Sequence, residues 1–335
     1  MKAFAALPLA LCTMLAACSP TAPQPVPLND TLPKLDLQTL LPAVEENAHC
    51  KRAMDAEMLH GVGVALQGEQ NYTEAKACLA MAAPSYTRAL CFLATNVSLE
   101  EGDGPEVERK AFHYQAYAAS QNDSCAEFGL YFVYRRGDEA TPADPALAQR
   151  WLERSALHGN ANAQRTLIQH YQQHGQPGTS YAWLKILDER GGAPELPALK
   201  AKLSAQQLSE GEALYAALNP QVPNRQQLKD EERHLLVAFY TGMVQLAHPT
   251  LFAGITPQQR HDTVKRAVDT ALDQLELPTV GKVKAYIVVS QLAQRKDANA
   301  DLLQNPQIVA VFRDDKLKSA EVLSRAKAIV DQAYN

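Results

Sequence analysis

The sequence predicts an all-α protein: a short solenoid of stacked helical pairs followed by a helical C-terminal domain. Three observations carry this. Alanine is abundant, whereas glycine supplies only 16 of the 335 residues and aromatic residues 7%, which favours helices over strands. From about residue 37 onward, apolar residues recur at three- and four-residue spacing and so share one helix face. A helix–turn–helix unit also keeps returning, and such a pair buries its apolar stripe only by stacking on its neighbours. Hydrophobic residues make up 46% of the chain, enough for an extended core.

The elements begin after a leader. Lys2 precedes an apolar run, Ala3 to Met14, whose only polar side chain is Thr13, and the run ends in Leu15-Ala16-Ala17-Cys18. Such a run is too short to span a bilayer and suits a cleaved secretory signal. The tetrapeptide resembles the bacterial lipobox. That resemblance implies a lipoprotein signal peptide over 1–17 and lipidation of Cys18 by acyl chains such as palmitate. With Ser19 next rather than an aspartate, it also implies an outer-membrane address, facing the periplasm. Residues 18–36, with Pro20, Pro23, Pro25, Pro27 and Pro33, read as an extended tether, because proline fixes φ and excludes helix.

The repeat array is expected over 37–219. Its clearest unit runs Ala148-x-x-Trp151, Ala156, Gly159-Asn160, Ala163-Gln164, then Leu167, Tyr171 and Gly175. Small Ala156 and Ala163 suit positions where two helices approach closely. Gly159 can end a helix at positive φ, and Asn160 can cap the next. Trp183 and Gly191 continue the pattern. The unit resembles the Sel-one-like repeat, a relative of the tetratricopeptide repeat, over roughly residues 45–218. The match is looser before residue 145, where Gly68 to Ala75 is nearer the tetratricopeptide form.

Six cysteines are present. Cys12 falls in the leader and Cys18 is the lipidation candidate, leaving Cys50, Cys78, Cys91 and Cys125 as disulfide candidates in an exported chain. In secreted cysteine-rich relatives of the repeat, a bridge ties one unit at a spacing of about 28, and this resemblance implies Cys50–Cys78. Cys91–Cys125 then follows only by elimination. It is geometrically awkward, since equivalent positions in successive repeats lie too far apart unless the array is distorted. Cys78–Cys91 is the rival pairing.

Beyond Pro220 and Pro223, residues 220–335 read as a bundle of four or five longer amphipathic helices, or as repeats too worn to recognise, of no recognised family. Thr256-Pro257 opens one of them, with a stripe through Val264, Ala267, Val268, Ala271, Leu272 and Leu275. Val283 to Val289, Ile308 with Phe312, and Leu317 to Val330 supply the others.

Chemistry is sparse. No G-x-S-x-G elbow, phosphate-cradling glycine loop or S-x-x-K motif occurs, so no enzyme and no cofactor are expected. His170 and His174 share a helix face but lack the following glutamate of zinc hydrolases and a third ligand, which makes them weak metal candidates. The formal charge is −5 without a basic block, so nucleic acid is not an expected partner. Tyr114, Tyr117, Tyr131, Tyr134 and Tyr171 read mainly as packing residues, some of them able to line a concave face. The expected function is that of an outer-membrane lipoprotein acting as a scaffold or adaptor in an envelope assembly or secretion complex, such as one exporting an exopolysaccharide. Its partners would be envelope proteins held in the solenoid groove, with the lipid as the one membrane contact. The alternatives are a peptidoglycan- or penicillin-interacting repeat protein and a surface-exposed host-interaction factor.

Overall fold

A computed structural model describes residues 27–138 and 141–334; the leader, Cys18 and most of the proline segment lie outside the described residues. Among the described residues there are sixteen α-helices and no strand. After the short α1 (Leu37–Leu40), the helices pair in chain order. They are α2 (Ala56–Gly68) with α3 (Tyr72–Ala82), α4 (Arg88–Glu101) with α5 (Pro105–Ser120), α6 (Ser124–Arg136) with α7 (Pro145–Leu157), and α8 (Ala161–Gln173) with α9 (Pro177–Gly191). The short α10 (Leu196–Lys200) and α11 (Ala205–Leu218) close the stack on α9.

Local sequence starts these helices. Asp55, Asn71, Asp123, Asp144 and Asn160 each accept a backbone N–H from the first turn of the helix that follows, a cap that contributes about 1 kcal/mol. Proline opens α5, α7 and α9, where its missing N–H costs nothing. Between the pairs, Ala118, Ala119, Ala126, Ala156 and Ala163 are fully buried and let helix axes approach.

Two disulfides form, the Cys50–Cys78 pair that the resemblance implies and the Cys91–Cys125 pair that followed only by elimination. Cys50, in the loop ahead of α2, joins Cys78 of α3 with Cα atoms 5.5 Å apart, and Cys91 of α4 joins Cys125 of α6 with Cα atoms 6.1 Å apart. The second pairing was expected to be awkward, and it is not. Cys91 is the fourth residue of its helix and Cys125 the second of its own, so the positions are not equivalent. Helices α4 and α6 also pack directly.

The end of the expected tether belongs to the body. Leu28–Thr31 form a 3-10 turn, Leu32 is buried, and Leu28 and Leu35 pack against the core. Arg154 of α7 fixes this segment by donating to Asn29 Oδ1 at 2.6 Å.

The C-terminal part contains five helices: α12 (Arg225–Ala247), α13 (Pro257–Asp269), α14 (Val280–Lys296), α15 (Pro306–Arg313) and α16 (Ser319–Ala333). The stripe foreseen through Val264, Ala267, Val268, Ala271 and Leu275 is buried, as are Ile308, Phe312 and Val330. A π-helical turn, Thr270–Gln274, extends α13.

The C-terminal helices are not a separate appendage. Helix α12 turns back along the array and packs on α2, the first helix of the first pair. The two backbones nearly touch where Gly61 meets Ala238 and Gly242, since a Cβ on either glycine would collide with main-chain atoms of the other helix. Further along α12, Glu231 pairs with Arg88 of α4 at 3.1 Å, and Leu228 lies against Gly159 between α7 and α8. Arg190 of α9 donates to the carbonyls of Asn219, Val222 and Pro223, which holds the link into α12. A single long helix thus packs on α2 and reaches α4 and the turn between α7 and α8.

Candidate binding groove

The first helices of successive pairs meet directly, α2 with α4 and α4 with α6, so the array curves toward the face they share. Helix α12 covers part of that face, and several hollows remain around it; two of them share Cys125 in their lining.

The open hollow is a groove of about 700 Å³ between α4, α5 and α6. Its walls carry Thr95 and Ser98 from α4, Phe112 and Gln115 from α5, and Phe128 and Phe132 from α6. Helical spacing explains the set, because residues three, four and seven apart fall on one face. Phe128 and Phe132 meet edge-to-face with centroids 4.9 Å apart, a geometry aromatic pairs favour. Phe132 is nonetheless 49% exposed. Gly129 gives the Gln115 amide room to lie against α6. There the Gln115 Oε1 atom is buried with no hydrogen-bond partner, and an unpaired buried acceptor calls for a donor. Glu108, Arg135, Arg136 and Asp138 complete the lining. Arg135 is anchored by donating to the Tyr131 hydroxyl at 2.8 Å. The groove therefore offers an apolar aromatic floor and charges of both signs, with the Gln115 oxygen buried beneath its surface.

The second hollow, about 360 Å³, lies beneath α12 and is lined by His60, Val64, Phe92, Leu235 and Phe239. His60 is buried, its ring 4.7 Å from that of Tyr86 and 5.1 Å from that of Phe92. Burial, followed by the positive charge of Arg88 and the neighbouring His234, pushes its pKa down to about 3. Burial also pushes the Tyr86 hydroxyl up to about 12.

The residues singled out from the sequence serve mostly to hold the array. Trp151, Ala156 and Ala163 are fully buried, and Trp183 nearly so. The Arg154 guanidinium lies 5.2 Å from the Trp151 ring centre. Gly159 ends α7 at φ 87° and Gly175 follows α8 at φ 67°. At the end of α9 the left-handed residue is Gly192, φ 95°, rather than Gly191. The Tyr171 hydroxyl donates to Glu153 Oε1 at 2.9 Å. His170 and His174 stack with centroids 4.1 Å apart on the outer part of α8, and no third ligand joins them among the described residues. Tyr114, Tyr131 and Tyr134 are buried, so the exposed aromatic surface comes from phenylalanines instead. His158 is more than a turn residue: its Nδ1 lies 2.8 Å from the fully buried carboxylate of Glu127, which also takes Arg154 Nε at 2.8 Å.

Nothing in the sequence singles out Phe112, Phe128 and Phe132 as a binding surface, because they sit in ordinary amphipathic helices. His60, His234 and His261 went unremarked because nothing local marks them. Comparison with family models, with curated proteins and with solved structures finds no match to this chain.

Proposed function

We propose that the protein is a lipid-anchored scaffold of the cell envelope that holds an extended segment of a partner protein in the groove between α4, α5 and α6. The observation that carries this reading is the half-exposed Phe132 over an aromatic floor. Partner segments bind such surfaces by placing apolar side chains on aromatic rings. The Cys91–Cys125 bridge ties two walls of the groove together, which lowers the ordering cost of binding. In this reading Cys18 carries the lipid, and the groove meets envelope proteins at the membrane surface.

A photoreactive amino acid in place of Phe132, in cells making the full chain, tests it. Val280 on α14, 47% exposed, is the control position. A discrete adduct with one envelope protein at position 132, absent at position 280 and lost when Phe128 is changed to Ala, is the expected result. Equal adducts at both positions, or adducts only between copies of this chain, would sink the reading. In the same cells, an alkyne-tagged palmitate should label the protein, and Cys18→Ala should abolish the label.

A further inference from the structure

Three side chains from three helices converge where the C-terminal helices dock on the first pair. Glu57 lies in the first turn of α2, His234 on α12 and His261 on α13. One donor atom from each lies within 4.8 Å of the others. His261 Nδ1 is 2.9 Å from Glu57 Oε2, and the His234 and His261 rings are 5.6 Å apart. Glu57 and His261 are largely shielded, with side chains 15% and 22% exposed, while His234 is exposed to solvent.

Zinc holds His nitrogen and carboxylate oxygen at about 2.0–2.2 Å in a tetrahedron, which sets neighbouring donors roughly 3.3 Å apart. The Glu57–His261 separation is within a few tenths of an ångström of that. Rotation of the exposed His234 side chain would close the two remaining edges. The neighbouring residues stiffen the frame: Asp55, two positions before Glu57, pairs with Arg260, beside His261, at 2.8 Å. Two imidazoles and one carboxylate form a borderline donor set that suits Zn²⁺ and not Mg²⁺ or Ca²⁺, which take oxygen. The other grouping of this kind, Cys91, Asp123 and Cys125, has both sulfurs committed to a disulfide.

We propose that Glu57, His234 and His261 bind one zinc ion, with water in the fourth position, and that the ion clasps α12 and α13 to α2. A clasp of this kind joins residues about two hundred positions apart and favours the closed arrangement of the array.

Calorimetric titration of the metal-stripped, purified full chain with ZnCl₂ tests this. One zinc per chain is expected, with a rise in Tm on binding and no response to MgCl₂. His234→Ala and His261→Ala should each weaken zinc at least as much as the roughly 10–100-fold that second-shell losses cause. His234→Ala removes an exposed side chain, so its unchanged metal-free Tm and circular dichroism show that the fold is intact. The double variant His170→Ala with His174→Ala should bind zinc as the parent does. No zinc binding by the parent, undiminished binding by the folded His234→Ala, or loss of binding in the His170/His174 variant would each overturn the assignment.

Discussion

The two halves of the helical array are held together by different means. From α7 to α9, short-range pattern suffices: Trp151 and Trp183 fill the interior, Ala156 and Ala163 admit close helix contact, and Gly159 with Asn160 turns the chain. From α2 to α6 that pattern is worn, and the helices are held by contacts distant in sequence. Two disulfides sit there. So do the crossing of α12 over Gly61 and the Asp55–Arg260 and Glu57–His261 pairs. Where side-chain sizes let neighbours interlock, an array stands as a sum of nearest-neighbour terms; where they do not, remote segments supply the missing constraint. The open groove lies in the second kind of region. Both tryptophans of the chain, Trp151 and Trp183, lie in the first kind, so tryptophan fluorescence reports that half alone while circular dichroism reports the whole.

The largest effect should come from breaking the locally patterned half. Trp151→Ala removes a fully buried ring, and such truncations cost about 3–5 kcal/mol. Urea melts should show the loss in the remaining Trp183 signal first, with the α2–α6 helices unfolding at or above that midpoint. A single coincident transition shifted by the full amount would show that the halves are one cooperative unit.

Breaking the other half comes next. Cys91→Ser with Cys125→Ser opens a bridge of sequence separation 34, a change that typically costs about 2–4 kcal/mol. The dichroism midpoint should fall further than the fluorescence midpoint. Equal shifts would mean that the bridge constrains the whole array rather than the α4–α6 region.

The same division marks what the sequence discloses. Trp151, Ala156, Gly159 and Asn160 are legible because their roles are set within one turn-spanning unit. The C-terminal stripes through Val264 to Leu275 and through Ile308 and Phe312 are legible for the same reason. The path of α12 is not. Nothing local marks Gly61 or Gly242, and only the fold reveals that the two backbones cross there. The phenylalanines of the groove look like core residues, since a helix stripe does not say which part of it a neighbour leaves bare. The histidines of α12 and α13 acquire a shared environment only when those helices return to α2.

The third effect belongs to the contact between α2 and α12. His60 is buried there with its pKa held near 3 against an ordinary value of 6.5. The folded state thus refuses a proton that the unfolded chain accepts. Stability contributed by neutral His60 is complete above pH 6.5 and is lost as pH falls from 6.5 toward 3, at up to about 1.4 kcal/mol per pH unit for one proton. Between pH 6.5 and 4.5 that amounts to roughly 2–3 kcal/mol. His60→Phe keeps the aromatic contacts with Tyr86 and Phe92 and removes the titration. The loss of stability on going from pH 7.5 to 4.5, measured by urea midpoints, should be smaller in the variant by that amount. Parallel losses in both proteins would place the acid sensitivity elsewhere.

The smallest effect lies at the seam between the two modes. Gly159 and Gly175 both adopt positive φ at helix ends, 87° and 67°, but only Gly159 faces α12, where a Cβ would meet the Leu228 side chain. Gly175 has open space around it. Alanine at either position incurs the left-handed strain of about 1–2 kcal/mol, so Gly175→Ala measures strain alone. The excess for Gly159→Ala measures how firmly α12 is seated on the patterned half. Because Leu228 is flexible and lies near the start of α12, that excess should be no more than about 1 kcal/mol, far below the cost of placing a side chain at Gly242. An excess comparable to that of a Gly242→Ala variant would show α12 gripping both halves equally and would erase the distinction drawn between them.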